Sequence, residues 1–178
     1  MQSREINLKQ PTVSQFNQYP HDAFACFVTD FYMWFLTVCK IKISWVEYVE
    51  ECKKVKAIND TFKILDRDLM AVAAGHPEFT CKDTTVNMAE KIDQLLDSGV
   101  PVIFSLSGGE HFESIDGRKA VAGVPCWTVD DPGGQGDKFC DCTTLEVFHL
   151  DANGNRVYSK NHAGGHRVIT HIYWMVKR

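Results

Sequence analysis

The chain has 178 residues, of which 44% are hydrophobic and 24% are charged, a composition that suits one globular domain with a buried core. The formal net charge is −4, so the protein has no basic field, and binding to nucleic acid is not expected. The most apolar stretch, at 23–38, contains an aspartate and is too short for a bilayer span, which argues against membrane insertion.

The first half of the sequence has a helical pattern. Capping residues and apolar spacing predict four helices, at about 22–38, 44–56, 62–74 and 84–98. The second begins with a capping box, because Ser44 is followed three residues later by Glu47. The fourth places its apolar residues on one face and ends at Gly99.

The second half changes to a strand pattern. Short apolar and β-branched runs between turn residues predict strands at about 100–106, 112–116, 123–129, 145–150, 156–159 and 166–176. Helices followed by strands predict an α+β fold with a mostly antiparallel sheet. We expect a single domain over 1–178, with an N-terminal extension at 1–14, a helical half at 22–98 and a β half at 100–178.

Three residue patterns could carry chemistry. Cys26 lies near the start of the first predicted helix, where free backbone N–H groups can lower the pKa of a thiol, although its apolar neighbours are equally typical of core packing. His111 follows a predicted strand and two glycines, so it could be a general base or a turn residue. The segment 130–133, Asp-Asp-Pro-Gly, could orient an imidazole or simply form a turn.

The order of these three patterns resembles the papain-like cysteine peptidases, and most closely the bacteriocin-processing (C39-like) family. In that family a cysteine opens the first helix, a Gly-x-His-Phe stretch carries a histidine, and a strand ending in Asp-Pro supplies a carboxylate. The matching segments here are Gly109–Gly117 and Val129–Gly133. The resemblance extends from about residue 15 to the C-terminus, and it implies a papain-like fold with a helical half packed on an antiparallel sheet.

The resemblance also implies a cysteine peptidase that cleaves a peptide or isopeptide bond through a thioester acyl-enzyme. Cys26 would attack the carbonyl carbon, and His111 would deprotonate the thiol and later protonate the leaving amine. Asp131 would orient His111, because it is the aspartate directly before proline, with Asp130 as the alternative.

The same resemblance implies an oxyanion hole formed by the backbone N–H of Cys26 and an upstream side-chain amide. Gln18 is the nearest candidate for that amide, and Asn17 and Gln15 are the alternatives. The implied partner is a peptide or protein substrate, which could be a peptidoglycan peptide, and no cofactor is expected.

A second class of function stays open, because the chain departs from the family after its cysteine. Phe27 and Val28 stand where the family usually has glycine and often proline, and their bulk would crowd the approach of a substrate backbone. The alternative is therefore a catalytically inactive binding or phage assembly protein with the same fold. A buried Cys26 would favour this alternative.

The cysteine pattern gives a third possibility, a small zinc-stabilised domain. Cys140 and Cys142 lie near His149, and His162 and His166 follow, but the usual Cys-x-x-Cys spacing of zinc sites is absent, so no metal is predicted. Seven cysteines, an odd number, and the lack of an apolar leader at the N-terminus favour a reduced, cytoplasmic protein.

Overall fold

The computed structural model describes residues 4–16, 24–106, 111–134, 137–158 and 167–178. Within these ranges the chain forms four helices and nine strands. In chain order they are β1 (Ile6–Asn7), α1 (Cys26–Val38), α2 (Trp45–Lys54), α3 (Leu69–Ala73), β2 (Phe79–Thr84), α4 (Met88–Asp97), β3 (Val102–Leu106), β4 (His111–Val121), β5 (Val124–Asp130), β6 (Lys138–Asp141), β7 (Val147–Leu150), β8 (Arg156–Tyr158) and β9 (Ile169–Lys177).

The strands form one sheet in the order β2-β9-β3-β4-β5-β6-β7-β8, and β1 pairs with the far end of β4. Each of these pairs is antiparallel. The expected combination of helices with an antiparallel sheet is therefore confirmed. Because β4 begins where β5 ends, Ser114 is paired with Asp130, and the start of one strand lies beside the end of the other.

Helices pack on both faces of the sheet. Alternate residues of a strand point to opposite faces, and β3 shows this directly: Ile103 packs with α1, α2 and α3, whereas Val102 and Phe104 pack with α4. The 13-residue α1 contacts both β3 and β4. In the part of the chain that the structure describes, no helix has both the length and the apolarity needed to cross a bilayer.

The N-terminal segment 4–16, which we call the strap, lies along β4 and reaches the loop after β5. Ile6 pairs with Arg118, Gln10 donates from its backbone N–H to Asp116 Oδ2 at 3.3 Å, and the backbone N–H of Gln15 donates to the carbonyl oxygen of Pro132 at 3.0 Å. Most of the strap falls in the predicted N-terminal extension, but it joins the sheet rather than extending from it.

The helical predictions differ from the structure mainly in their bounds. The capping box before α2 is present, with the Ser44 N–H donating to Glu47 Oε2 at 2.7 Å. The third helix, predicted at 62–74, is only Leu69–Ala73, and α4 begins at Met88 rather than near 84. The start predicted for the first helix, at 22, lies outside the described residues.

The strand predictions missed β1, which is the strand of the strap, and two further elements. β2 falls in the predicted helical half, and β6 falls between the strands predicted at 123–129 and 145–150. Both strands are short and contain charged residues, so the local pattern does not indicate them. They form because neighbouring strands supply the backbone partners: β9 for β2, and β5 and β7 for β6.

Candidate active site

The structure brings His111 and Asp131 together across neighbouring strands. His111 opens β4 and Asp131 directly follows β5, so the antiparallel pairing places them side by side. His111 Nε2 lies 2.7 Å from Asp131 Oδ1, and the same oxygen accepts the backbone N–H of Gly133 at 2.7 Å. A neutral imidazole that donates from Nε2 to this carboxylate keeps Nδ1 as its proton acceptor.

The two adjacent aspartates have different partners. Asp131 bonds to His111, whereas Asp130 Oδ1 accepts the hydroxyl of Thr12 in the strap at 2.9 Å. Burial, followed by the nearby carboxylate of Asp116, raises the pKa of Asp130 from 3.8 to about 7. Of the two candidates that the sequence offered, the structure places Asp131 at the imidazole.

Two further charged residues complete what we call the buried charge cluster: His111, Glu113, Asp131 and Lys138. The Lys138 ammonium donates to Glu113 Oε1 at 2.9 Å and contacts Asp131 Oδ2. Glu113 is 0% exposed and Lys138 is 2% exposed, and Glu113 Oε1 also lies 3.6 Å from His111 Nε2. Sequence analysis missed both residues; alternation along β4, which puts residues 111 and 113 on one face, is the one signal that could have indicated Glu113.

The pKa values of the two carboxyl groups in this cluster are shifted in opposite directions. Burial opposes ionisation of Asp131, but the His111 hydrogen bond and the Lys138 charge outweigh it and hold the pKa of Asp131 below its usual value. Burial dominates at Glu113, and the charge of Asp131 adds to it, so the pKa of Glu113 is raised despite Lys138. The ionised partner of His111 is therefore Asp131.

Cys26 lies at the first position of α1, whereas the sequence predicts it about one turn into a helix that begins near 22, and its thiol is covered. The residue is 8% exposed, and burial, followed by the charge of Asp30, raises the pKa of the thiol to about 12. The backbone N–H of Phe112 opposes this increase in the pKa of the thiol, so the sulfur lies near the residue that follows His111. Between these two described residues there is no hydrogen bond from the sulfur to the imidazole.

Asp30 follows Cys26 by one helical turn and was not predicted as a site residue. It is fully buried, and neither carboxyl oxygen has a hydrogen-bond partner of ordinary geometry within the described ranges. Burial, then the charges of Glu113 and Asp131, raise its pKa well above the usual value, although the Ser114 hydroxyl opposes this. A single acidic residue in an apolar helix, four positions after a candidate nucleophile, was the available signal.

The candidates for the oxyanion hole are only partly described. Gln18 and Asn17 lie outside the described residues. Gln15 is buried, and its backbone N–H donates a hydrogen bond to the carbonyl oxygen of Pro132, the residue after Asp131.

The cysteines considered for zinc do not form a ligand cluster where the chain is described. Cys140 packs in the core with Trp127, all seven cysteines are free thiols, and His162 and His166 lie outside the described residues. The group whose spacing suits a metal is His111, Glu113 and Asp131, with ligand atoms within 4.8 Å of one another. The Lys138 ammonium contacts both of its carboxylates, so a cationic group already occupies this position.

Similarity to known proteins is found at the level of the fold. No family model matches the sequence, and no curated protein matches it. Among solved structures, the crystal structure of a double glycine motif protease from an AMS/PCAT transporter, in complex with the leader peptide, aligns with a TM-score of 0.54 at 14% identity. The alignment covers 99% of this chain and 100% of that chain. At this identity the likeness shows a shared fold, a peptidase-like arrangement of helices and antiparallel sheet.

Proposed function

We propose that the protein is a cysteine peptidase of the papain-like, C39-like type, which cleaves a peptide or isopeptide bond with Cys26, His111 and Asp131. The observation that carries the proposal is the 2.7 Å contact between His111 Nε2 and Asp131 Oδ1. Cys26, at the N-terminus of α1, lies near Phe112, the residue that follows His111. The fold shared with a double glycine motif protease supports the same reaction class.

The first half of the reaction forms the acyl-enzyme. His111 Nδ1 takes the proton of the Cys26 thiol as the sulfur attacks the substrate carbonyl carbon, and Asp131 stabilises the resulting imidazolium. The backbone N–H of Cys26 and the side-chain amide of Gln18 would hold the oxyanion. The imidazolium then protonates the leaving amine as the C–N bond breaks, which leaves a thioester on Cys26.

The second half releases the acid and restores the thiol. His111 Nδ1 takes a proton from a water molecule, whose oxygen attacks the thioester carbonyl, and the imidazolium returns that proton to the departing sulfur. Because the pKa of the resting thiol is raised to about 12, the thiolate forms during attack, and no thiolate–imidazolium ion pair is present beforehand. Binding of substrate must therefore bring the sulfur and Nδ1 into contact.

The substrate class that we propose is an extended peptide. The solved structure with the shared fold contains a leader peptide, and a peptidoglycan peptide or a protein isopeptide would present the same scissile amide to the three residues.

The test is selective alkylation by peptide chloromethyl ketones, thiol-directed reagents that also occupy the substrate position, with the partly exposed Cys39 at the other end of α1 as the internal reference. If the proposal is correct, Cys26 reacts faster than Cys39, and His111→Ala removes this preference without affecting Cys39. Cleavage of a peptide library by the wild type, and its loss in Cys26→Ala, completes the test. Labelling of Cys26 no faster than Cys39 would rule out a catalytic thiol.

A second candidate, a catalytically inactive binding protein with the same fold, is favoured by the surroundings of Cys26. The thiol is buried, its pKa is raised, and it has no hydrogen bond to His111. The ring of Phe27 packs against that of Phe112 with centroids 4.4 Å apart, so the position that is glycine in the resembling family is filled. The alkylation experiment separates the two candidates, since an inactive protein would show no dependence of labelling on His111.

A further inference from the structure

We propose that Lys138 is a positioning residue that keeps Glu113 away from the imidazole, so that Asp131 is the carboxylate that binds His111. Its catalytic meaning rests on the proposed function, but the placement can be tested without peptidase activity. The imidazole faces two carboxylates: Asp131 Oδ1 lies 2.7 Å from Nε2 and Glu113 Oε1 lies 3.6 Å from it. Both acids can accept the same N–H, so something must decide between them.

Lys138 lies between the two acids and selects the one that binds His111. Its ammonium donates a hydrogen bond at 2.9 Å to Glu113 Oε1, which is the glutamate oxygen nearest to the imidazole. It also contacts Asp131 Oδ2, which leaves Oδ1 to face His111 and the Gly133 N–H. Each oxygen of Asp131 therefore has its own partner, and rotation of the carboxylate would break a charged hydrogen bond.

The burial of these groups argues against an incidental ion pair. Removing an ammonium and two carboxyl groups from water costs several kcal/mol each, and apolar residues of similar size are often as stable or more so. Arg167 lies 3.6 Å from Glu113 Oε1 and is 16% exposed, so Glu113 has a second cation near it without Lys138. What Lys138 adds is the contact with Asp131, which fixes the orientation of the Asp131 carboxylate.

Three variants and one control separate positioning from simple charge pairing. Lys138→Met frees both acids, Glu113→Gln removes the competing carboxylate, and the double variant removes both groups. Lys42→Met, at an exposed site in the loop before α2, removes one lysine charge far from any buried partner. The readout is the crystal structure of each variant, in which the distances from His111 Nε2 to the carboxyl oxygens of Asp131 and Glu113 show which acid accepts the N–H.

We expect Asp131 to accept the Nε2–H in the wild type, in Lys42→Met and in Glu113→Gln. In Lys138→Met, Glu113 Oε1 should move from 3.6 Å to within hydrogen-bond distance of Nε2, and the double variant should restore the bond to Asp131, because no second carboxylate remains. In a peptidase assay Lys138→Met should lower kcat by about 10–100-fold with little change in KM, as expected when a catalytic group is misplaced, and the double variant should recover most of this loss.

An unmoved Glu113 with Asp131 still bound to Nε2 in Lys138→Met, or no recovery in the double variant, would overturn the inference. Should Lys138→Met fail to fold, Lys138→Gln, which keeps a donor but removes the charge, takes its place with the same expectations. If no variant, including the wild type, cleaves peptides while the acceptor of the His111 N–H changes as expected, the peptidase proposal fails and the positioning role stands.

Discussion

Replacement of Asp130 by asparagine should change how the stability of the protein depends on pH. Asp130 Oδ1 accepts the Thr12 hydroxyl at 2.9 Å, and Oδ2 is buried without a hydrogen-bond partner among the described residues. Burial and the neighbouring carboxylate of Asp116 raise the pKa of Asp130 from 3.8 to about 7. Asparagine keeps an acceptor for Thr12 but cannot ionise, so the substitution isolates the effect of the charge.

The sign follows from linkage between protonation and folding. A carboxyl whose pKa is raised on folding contributes stability that is fully present below pH 3.8 and is lost as the pH rises towards 7. A shift of about three pH units corresponds to about 4 kcal/mol at 1.36 kcal/mol per unit. Partial contact of Asp130 with solvent reduces this, so we expect the free energy of unfolding of Asp130→Asn, relative to wild type, to rise by roughly 2–4 kcal/mol between pH 4 and pH 8.

Urea unfolding at several pH values between 4 and 8 provides the measurement. Asp68→Asn is the control, because, despite its partial burial, hydrogen bonds from the Cys81 N–H and the Thr80 hydroxyl lower the pKa of Asp68, and its contribution is lost only as the pH falls below its ordinary value. The difference between Asp68→Asn and wild type should therefore stay flat from pH 5 to pH 8. If the difference for Asp130→Asn is also flat, within about 0.5 kcal/mol, the carboxyl is not held neutral by the fold and the reasoning is wrong.

Asp30→Asn should increase the rate at which iodoacetamide alkylates Cys26 at alkaline pH, above the raised pKa of Asp30, because the Asp30 charge is, after burial, the main cause of the raised thiol pKa; an unchanged rate in the folded variant would contradict this. Gly117→Ala should lower the free energy of unfolding by about 1–3 kcal/mol in urea titrations, because a Cβ there would collide with the Ile6 carbonyl oxygen of the strap; unchanged stability would mean that the strap gives way. Lys138→Ala should allow Zn²⁺ to bind at the three remaining members of the buried charge cluster, whose ligand atoms lie within 4.8 Å of one another. Calorimetric titration of the variant and of the wild type with Zn²⁺ tests this. We expect the wild type not to bind Zn²⁺, and a variant that does not bind it either would refute the prediction.

The parts of the site that could be predicted are those with local signals. His111 and Asp131 lie at strand ends beside turn residues, and an antiparallel sheet brings the start of one strand next to the end of its neighbour. The position of Cys26 at the start of α1 follows from helix patterning. The exposure of the thiol could not be predicted, because it depends on the packing of Phe27 against rings from β4 and β9.

The rest of the site depends on contacts between distant segments. Lys138 lies in a strand that exists only because β5 and β7 pair with it, and its ammonium reaches a glutamate 25 residues away. Lysine is almost never fully buried unless it is paired, so a sequence in which the partner is unknown predicts an exposed residue. Asp30 is a similar case, since its surroundings come from β4 and from the loop after β5.

The buried charge cluster bears on the choice between the two proposed functions. The covered thiol favours an inactive protein, but a protein that only binds its partner has no need for an imidazole held by one carboxylate while a lysine restrains another. Apolar residues would fill the same space at a lower desolvation cost. His111, at 19% side-chain exposure, is the member of the cluster that remains open to solvent, and its Nδ1 is left as the proton acceptor. This arrangement favours proton transfer, and hence catalysis, over passive binding.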